Sequence, residues 1–449
     1  MSFGTFRPLS RADLLDNDWY KFTMQFAVFS TGYSDQHVGY KFTDRKGKVD
    51  GLLSSLSPPE RDTTITALKS ILNSYVALEF EEGDVDYIRE ELNKIVTDDQ
   101  SSLLTLYCDR LVQRRSVDIT VKWDDHLIVE YTGTWFDTIL LEVPFMAIIV
   151  EFCNTLAVRE EPSDERVLST LQSKLDVYGA AKATVVEFGT RRRFNQRTHF
   201  LIISALHESP ISPPVYTSNV LQSKRNNTPP RGTCAHEWFM FFESLQRVSD
   251  PSVLTLDSLV TSIATSLKLW LSVYQSVFAL TDVFTTHVFF MAYKTLDSSL
   301  QSRIHYRCDS GEESRYTQEI ASILGDLGLS VVEHLESKMI MFSNSLNPSK
   351  VAVIQASWVN DKEKGLPTAK GFLYGVGTNF SNDLQYDTMD IVIKLNKLMK
   401  VEEKEIESNT SVDSSVVYSF KLSDVKSKFV GHDSIRQQAL HCVSHPPSF

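Results

Sequence analysis

The sequence predicts an α/β fold in two main parts. Between Thr184 and Phe380, short strand-like runs alternate with longer helical patterns, which is typical of parallel βα units in a barrel or a doubly wound sheet. Ahead of them, a predicted hairpin followed by helical sequence indicates a smaller α+β domain. The length of 449 residues suits two or three domains of ordinary size with a large core.

The first predicted element is an amphipathic helix near the N-terminus. Apolar residues recur at spacings of three and four from Leu15 to Phe29, and Gly32 ends the pattern. Three side chains with polar groups fall beside this apolar stripe: Asp18, Tyr20 and Lys21.

The remaining elements follow from the spacing of apolar residues. The segment from Asp118 to Trp135 alternates like two strands around Asp124 and Asp125, which predicts a hairpin, and helical sequence continues from Phe136 to about Ala181. The later region contains strand-like runs at Val185 to Phe188, Val288 to Phe290, Ile304 to Tyr306, Met339 to Phe342 and Phe372 to Gly375.

Two segments depart from this regular alternation. The stretch from Ser209 to Arg231 holds five prolines, too many for a helix, and is long enough to be a functional loop. The tail after Val401 is charged and then serine-rich, and within it Val416 to Leu422 is predicted to be a late strand that returns to the first domain.

The composition is that of an acidic globular protein with a net charge of −12. Its five cysteines are widely spaced without a C-x-x-C pair, which indicates a reducing compartment without structural zinc. The longest apolar stretch, Thr138 to Phe152, is interrupted by two glutamates and a proline, so we expect neither a membrane span nor a signal peptide. We expect a cytoplasmic protein, with the nucleus as a second location, and no membrane or nucleic-acid partner.

The most informative segment is Glu187 to Arg193, which reads EFGTRRR at a predicted strand-to-helix junction. Arginine presents a planar fork of donors that matches phosphate or carboxylate oxygens, and Gly189 lets the backbone approach a ligand. In an acidic chain this compact positive cluster predicts a site for a small anion. The alternative is a solvated basic turn that starts a helix.

Two other segments offer titratable side chains. His236, within Gly232 to Trp238, offers an imidazole that substrate can reach, although a lone histidine is often structural; position 240 is Met240, so the zinc-protease spacing is absent. Arg307 and Asp309 follow a strand-like run and together suit a sugar phosphate, but the same residues also suit an ordinary turn.

Neutral donors occur at two further places. Gly375, Gly377 and Thr378 follow an apolar run where backbone N–H groups can face a phosphate, although two glycines alone are a weak signal. Thr217 to Asn219 can supply hydroxyl and amide contacts, as residues in any loop can.

Several multi-residue motifs occur together in a fixed order, and in them the chain resembles nicotinate phosphoribosyltransferases from near its start to about residue 395. The matching segments are Asp18 to Met24, Tyr40 to Thr43, the intact EFGTRRR of Glu187 to Arg193, Gly232 to Trp238, Ala279 to Phe284 and Gly375 to Asp383.

The resemblance implies a type II phosphoribosyltransferase fold, an irregular α/β barrel with an N-terminal α/β domain completed by C-terminal segments. We place the N-terminal domain at residues 1–145, the barrel at 146–395 and the segment that packs back on the first domain at 396–449. The family's arrangement is a homodimer with shared active sites, so Tyr20 is expected in the partner subunit's site.

The implied reaction joins nicotinate to 5-phosphoribosyl 1-pyrophosphate, giving nicotinate mononucleotide and pyrophosphate in NAD salvage. Mg²⁺ is the implied cofactor, and ATP is the implied co-substrate, whose hydrolysis is coupled through a phosphohistidine at His236. Breaking the bond from ribose C1 to pyrophosphate builds oxocarbenium character, so the nucleophile must be held in line and the departing charge neutralised.

The implied roles fall on residues of these motifs, and none is assigned as a resident metal ligand. The catalytic candidates are His236, Arg307 and Asp309. The substrate-binding candidates, with the nicotinate ring between the two aromatic ones, are Tyr20, Phe188, Arg191, Thr217, Ser218, Asp18 and Lys21. The phosphate-binding candidates are Gly375, Gly377, Thr378 and Ser343.

The sequence also departs from the family pattern. Glu312 and Glu313 stand where the family has Asp-Pro, and Asn344 replaces a carboxylate. Two other interpretations therefore stay open: a catalytically impaired relative that binds pyridine nucleotides as a sensor or partner protein, and a phosphoribosyltransferase for nicotinamide. The intact run from Arg191 to Arg193 favours an acid substrate.

Overall fold

In the computed structural model the chain is a mixed α/β protein built on two sheets. The structure describes residues 13–42, 48–157, 162–169, 171–172, 185–209, 215–249, 256–309, 313–330, 334, 338, 340–343, 351–354, 390–394 and 417–420. The mixed α/β class agrees with the sequence prediction.

The regular elements alternate along the chain. The strands are β1 His37–Lys41, β2 Val117–Trp123, β3 Leu127–Thr134, β4 Val185–Glu187, β5 Val215–Thr217, β6 Val277–Leu280, β7 Ile304–Cys308, β8 Ile340–Ser343, β9 Val351–Ile354, β10 Asp390–Lys394 and β11 Val417–Phe420. The helices are α1 Trp19–Ser30, α2 Lys48–Ser54, α3 Pro58–Val76, α4 Glu82–Asn93, α5 Ser101–Leu111, α6 Trp135–Thr138, α7 Glu142–Leu156, α8 Gln196–Glu208, α9 Val220–Arg225, α10 His236–Ser249, α11 Leu256–Val273, α12 Thr286–Lys294, α13 Ser298–Ser302 and α14 Glu313–Asp326.

The first sheet is antiparallel and has the strand order β11-β10-β1-β3-β2. Strands β2 and β3 are the predicted hairpin, and Asp125 in its turn has a φ of 57°. The predicted late strand Val416 to Leu422 is present as β11. Strand β10 lies inside the range predicted for the barrel, yet it pairs with β1, where it covers an edge that would otherwise expose unpaired backbone groups.

The second sheet is parallel and has the strand order β5-β4-β9-β8-β7-β6. Its two edge strands, β5 and β6, are both hydrogen-bonded to the segment Arg231–Cys234. The backbone N–H of Arg231 donates to the carbonyl of Thr217 at 3.0 Å, and that of Cys234 donates to the carbonyl of Phe278 at 3.0 Å. This segment therefore contacts both edges of the sheet.

Helix α1 is buried on nearly every side, so the predicted amphipathic stripe is wrong in two respects. The helix begins at Trp19, and Leu15 lies before it in the core. Polar residues of the helix such as Lys21 and Gln25 are as buried as the apolar ones, because neighbouring elements pack around the helix. On one side, the ring of Phe26 meets those of Tyr107 and Tyr274 edge-on.

The most apolar helical stretch, Trp135–Leu156, is long enough by composition to cross a membrane. In the structure 83% of its apolar window is buried inside the protein, so it serves as a core element. This stretch comprises α6, a 3₁₀ turn at Ile139–Leu141 and α7.

Two predicted elements differ from the structure. The run Val288 to Phe290 is not a strand but part of α12, where the hydroxyl of Thr285 caps the helix by accepting from the N–H of Val288 at 3.2 Å. The proline-rich segment Ser209 to Arg231 is not all loop, since it contains β5 and α9. The predicted strand at Phe372 to Gly375 lies outside the described residues.

Candidate active site

The candidate site lies where parallel strands of the second sheet end. Strand β4 leads through Phe188 and Gly189 into a 3₁₀ turn, Thr190–Arg192, and β7 carries Arg307 near its end. In parallel sheets, residues that follow the carboxyl ends of strands gather at one edge, where α/β proteins usually bind ligands.

Strong curvature of this sheet brings distant strands together. The guanidinium carbon of Arg307 lies 4.8 Å from the ring centroid of Phe188, although β9 and β8 separate their two strands in the sheet. In a flat sheet the backbones of these two strands would be about 14 Å apart, and Phe278 of β6, one strand further away, also packs against the Val186 and Phe188 pair. The sequence cannot give this contact, because it depends on how far the sheet bends.

An aromatic group lines the inside of the curve. Val186 and Phe188 form a buried pair, and Tyr20, Tyr216 and Phe278 pack against it. The Tyr20 in this contact belongs to the same chain, whereas the resemblance predicts that Tyr20 serves the partner subunit. Tyr20 therefore lies beside the pair that contains Phe188, and its role in the partner subunit's site stays a prediction.

A cavity of about 440 Å³ adjoins this aromatic group. It shares Val186, Tyr216 and Phe278 with the group and is also bordered by Thr233 and Arg231. A volume of this size is sufficient for a small planar ligand.

The three arginines of EFGTRRR have different environments. Arg191 is partly accessible, with 19% of its side chain exposed, and its Nη1 lies 3.2 Å from Oε1 of Glu142. Arg193 is buried and donates to Asp16 at 2.7 Å, so it joins the N-terminal segment to the sheet. Only the backbone of Arg192 is described. Of the two arginines of this run whose side chains are described, Arg191 is the more accessible.

Behind the arginine turn lies a buried acid and base. Glu187 accepts from the hydroxyl of Thr217 at 2.7 Å and from the backbone N–H of Gly189, and its Oε1 lies 3.0 Å from Nε2 of His199. Burial raises the pKa of Glu187, but His199 and these hydrogen bonds outweigh burial and hold the pKa below its usual value. Thr217, a predicted substrate ligand, is thus used to fix the turn.

Ser218 and Asn219 lie beside this group. The hydroxyl of Ser218 is fully buried and has no hydrogen-bond partner among the described residues. The amide of Asn219 donates to Asp16 at 2.8 Å and to the hydroxyl of Thr190 at 3.1 Å.

His236 is the first residue of α10 and remains accessible, with 23% of its side chain exposed. Its Nε2 lies 3.0 Å from Oδ1 of Asp282, which follows β6. A carboxylate at this distance orients the imidazole and fixes which nitrogen carries the proton. A helix N-terminus also favours negative charge on or near its first residue.

Thr233 and Asp309 both accept hydrogen bonds from Arg307. Its Nη1 donates to the hydroxyl of Thr233 at 2.6 Å and its Nη2 to Asp309 at 2.7 Å. The side chain of Asp309 is 24% exposed. The predicted catalytic pair of Arg307 and Asp309 is therefore together in space.

Asp18 and Lys21 are both buried. The carboxylate of Asp18 accepts from the hydroxyl of Thr190 at 2.7 Å, and burial raises the pKa of Asp18 to about 6. Lys21 lies fully buried between the carboxylates of Glu142 and Glu237. Its ammonium is paired with these two carboxylates. Lys21, a predicted substrate ligand, therefore does not face an open site.

The predicted phosphate cradle is not tested. Gly375, Gly377 and Thr378 lie outside the described residues, and Ser343 ends β8 with only its backbone described. Within the part of the chain that is described, no group of three or more His, Cys, Asp or Glu side chains is arranged to hold a metal ion.

Sequence reasoning missed several charged residues of the site. Glu142 and Asp16 carry no motif signal, because their arginine partners lie far along the chain. Glu237 and Asp282 were inside recognised motifs, and their buried or helix-terminal positions become evident only from the fold.

Two family models match the chain. The nicotinate phosphoribosyltransferase (NAPRTase) N-terminal domain matches residues 15–150, and the nicotinate phosphoribosyltransferase (NAPRTase) family matches residues 183–435. Together they cover both sheets.

Similar curated proteins extend over most of the chain. A nicotinate phosphoribosyltransferase of Desulforapulum autotrophicum is 29% identical over 96% of this chain and 97% of its own length. One of Xanthomonas campestris pv. campestris is 30% identical over 85% of this chain and 87% of its own length.

Solved structures share the fold. The nicotinate phosphoribosyltransferase of Porphyromonas gingivalis aligns with a TM-score of 0.61 and 21% identity over 85% of this chain and 89% of its own. That of Vibrio cholerae aligns with a TM-score of 0.60 and 23% identity over 88% and 87%.

Proposed function

Because the chain belongs to the nicotinate phosphoribosyltransferase family, we propose that its site joins nicotinate to 5-phosphoribosyl 1-pyrophosphate in NAD salvage. The products are nicotinate mononucleotide and pyrophosphate. The observation that carries the proposal is the placement of Arg307 against Phe188, which directly follows β4 and precedes the turn that holds Arg191. Aromatic and cationic groups at one strand edge suit a planar ring that bears a carboxylate.

We assign the pyridine ring to the aromatic group and its carboxylate to Arg191. Phe188 and Tyr20 offer ring faces, and the partly exposed guanidinium of Arg191 offers paired donors. Glu142 pairs with one nitrogen of this guanidinium, and an acid ligand adds a second charge-assisted contact that neutral nicotinamide lacks. The site therefore favours the acid over the amide.

The bond change requires stabilisation of the leaving group. The ring nitrogen of nicotinate attacks ribose C1, and the electron pair of the breaking C1–O bond departs with pyrophosphate. Arg307, held by Thr233 and Asp309, supplies a fixed positive charge near this position. Mg²⁺, when bound to the pyrophosphate, would neutralise departing charge.

ATP coupling is assigned to His236. If Nε2–H donates to Asp282, Nδ1 presents its lone pair and can accept the terminal phosphoryl group of ATP. The added charge would lie at the N-terminus of α10, where backbone N–H groups stabilise an anion. Hydrolysis of the phosphohistidine would then drive the reaction toward nucleotide formation.

We further propose that the curved parallel sheet is an irregular barrel and that the protein is a cytoplasmic homodimer. The hydrogen bonds from Arg231 and Cys234 to both edge strands support closure of the sheet. The phosphate roles of Gly375, Gly377, Thr378 and Ser343 stay predictions.

The test is release of pyrophosphate by the purified protein with 5-phosphoribosyl 1-pyrophosphate and Mg²⁺. Nicotinate, nicotinamide and quinolinate are compared, each with and without ATP. We expect release with nicotinate and stimulation by ATP. Release with nicotinamide alone would assign the other base, and binding of nucleotide without release by a folded protein would assign the impaired relative.

A further inference from the structure

The first turns of three helices meet at one buried group of charges, the Lys21 cluster, which consists of Lys21, Glu142 and Glu237. Lys21 lies in the first turn of α1, Glu142 begins α7 and Glu237 is the second residue of α10. All three side chains are buried, and Lys21 has no exposed surface. The cluster therefore joins three helices through charge.

The Lys21 cluster is fully paired. Lys21 contacts Oε2 of Glu142 and lies 2.5 Å from Oε2 of Glu237. The other oxygen of Glu237 accepts from the hydroxyl of Tyr40 at 2.5 Å and from the indole of Trp135 at 2.7 Å. Burial lowers the pKa of Lys21, but the two carboxylates outweigh it and hold the ammonium charged. Separating these groups would leave a buried charge without its partner, which is strongly disfavoured.

The two carboxylates lead to different parts of the candidate site. Glu142 uses its second oxygen to hold Nη1 of Arg191 at 3.2 Å. Glu237 directly follows His236 in the first turn of α10. A continuous series of ion pairs and one peptide bond therefore runs from Arg191 through Lys21 to His236.

We propose that Lys21, Glu142 and Glu237 are positioning residues that couple the state of His236 to the binding of nicotinate at Arg191. This inference rests on the proposed function. A phosphoryl group on His236 adds charge beside Glu237, and any adjustment of that turn must carry Lys21 and Glu142 with it. The position or mobility of the Arg191 guanidinium then differs between the phosphorylated and the unphosphorylated protein. Coupling between two sites requires such a difference, because nicotinate must bind the two states with different affinity.

Isosteric substitutions test the coupling without leaving a cavity. Glu142→Gln changes the carboxylate that contacts Arg191, and Glu237→Gln changes the carboxylate next to His236. For each variant, the KM for nicotinate and kcat are measured with and without ATP, and phosphorylation of the protein is measured with ATP labelled in its terminal phosphate.

Coupling predicts that a change at Glu142 alters the response to ATP and that a change at Glu237 alters the binding of nicotinate. We expect Glu142→Gln to reduce the ATP stimulation of kcat/KM by about fivefold or more while His236 is still phosphorylated. We expect Glu237→Gln to raise the KM for nicotinate by a similar factor. The double variant should lose little more than either single one, because both interrupt the same series of contacts.

Glu130→Gln is the matched control. Glu130 makes an exposed ion pair with Lys41 at 3.4 Å, so the same chemical change should leave the KM, the ATP stimulation and the thermal midpoint unchanged. Thermal unfolding of every variant separates loss of stability from loss of coupling, since a merely structural role would lower the midpoint and leave the ATP stimulation intact.

Three outcomes would overturn the inference. An equal change of the KM for nicotinate with and without ATP in Glu142→Gln would mean that Glu142 only orients Arg191. Unchanged kinetics in both variants would remove any role for the Lys21 cluster. Wild-type turnover without ATP stimulation would leave nothing to couple, whereas absence of wild-type pyrophosphate release would instead reject the proposed function itself.

Discussion

Asp16 and Asp18 are neighbours in sequence with opposite effects on stability. Arg193 and Asn219 lower the pKa of Asp16 to about 2 despite the opposing effect of burial, whereas burial raises that of Asp18 to about 6. A lowered pKa in the folded state stabilises the protein above pH 3.8, the ordinary value, and this contribution is lost as pH falls toward 2. A raised pKa in the folded state has the opposite effect on the pH dependence of stability. The stabilising contribution of protonated Asp18 is present below pH 3.8 and is lost as pH rises to about 6.

We therefore expect Asp18→Asn to stabilise the protein at pH 7.5. The gain in free energy of unfolding should be on the order of 2 kcal/mol and should largely disappear near pH 4. Asp16→Asn serves as the contrast and should destabilise by about 3 kcal/mol or more, because it leaves the buried Arg193 without its counter-charge. Urea unfolding between pH 4 and 8 measures both, and a loss of stability for Asp18→Asn at pH 7.5 would contradict the assignment.

The proposed role of His236 in ATP coupling gives a further prediction for single residues. We expect His236→Ala to abolish ATP stimulation and protein phosphorylation while keeping slow, ATP-independent pyrophosphate release, because the ring-binding groups are untouched. Asp282→Asn should reduce phosphorylation by about tenfold to a hundredfold, since an amide orients the imidazole less strongly. Full ATP stimulation in His236→Ala would reject the phosphohistidine.

Single residues also show where sequence reasoning ends. The EFGTRRR pattern correctly predicts a strand-to-helix junction, but not which arginine is accessible. That distinction depends on Asp16 and Glu142, whose contacts with Arg193 and Arg191 exist only after folding.

At the scale of elements, the segment Arg231–Cys234 passes unusually close to α1. A Cβ on Gly232 would lie 3.0 Å from the backbone nitrogen of Tyr20 and 3.3 Å from its Cα. These are backbone atoms, so a side chain at this position can be accommodated only if the segment and the helix move apart.

We expect Gly232→Ala to lower the free energy of unfolding by about 1 to 3 kcal/mol and to raise the KM for nicotinate, because Tyr20 is displaced. Gly83→Ala is the control, since a Cβ there meets nothing within 4 Å and alanine favours a helix. Thermal unfolding and steady-state kinetics measure the two effects. An unchanged KM in Gly232→Ala would show that the contact does not position Tyr20.

Element prediction succeeded where local pattern and tertiary position agree. The β2–β3 hairpin has alternating residues and a turn, and both persist in the structure. It failed at Val288 to Phe290, where apolar β-branched and aromatic residues suit either a strand or a buried helix face. The cap at Thr285 favours the helix, a signal that outweighs strand propensity here.

At the scale of the whole molecule, the proposed homodimer allows two arrangements, in which Tyr20 serves the nicotinate site of its own subunit or that of the partner subunit. In one chain Tyr20 packs against the Val186 and Phe188 pair, and burial, together with the charge of Glu142, raises the pKa of the Tyr20 hydroxyl despite the opposing charge of Arg191. The family resemblance instead predicts that Tyr20 acts in the partner subunit's site. Both arrangements therefore assign Tyr20 to a nicotinate site, and they differ in which subunit's site it serves.

Mixing inactive variants distinguishes the two arrangements. The shared-site arrangement predicts recovery of activity when Tyr20→Ala and Arg191→Ala proteins are unfolded, mixed and refolded together, and a self-contained site predicts none. If Tyr20 came from the other subunit, random pairing would restore about a quarter of the wild-type sites, because half of the dimers would each hold one intact site. Wild-type protein taken through the same cycle controls for refolding.

The completion of the first sheet by β10 and β11 has a consequence for synthesis. As the chain leaves the ribosome, β1 can pair with β3 early, but its other edge stays bare until the strand beginning at Asp390 emerges. The nascent N-terminal domain therefore waits for nearly the whole protein to be translated, and during that interval a chaperone or a neighbouring nascent chain can occupy the bare edge.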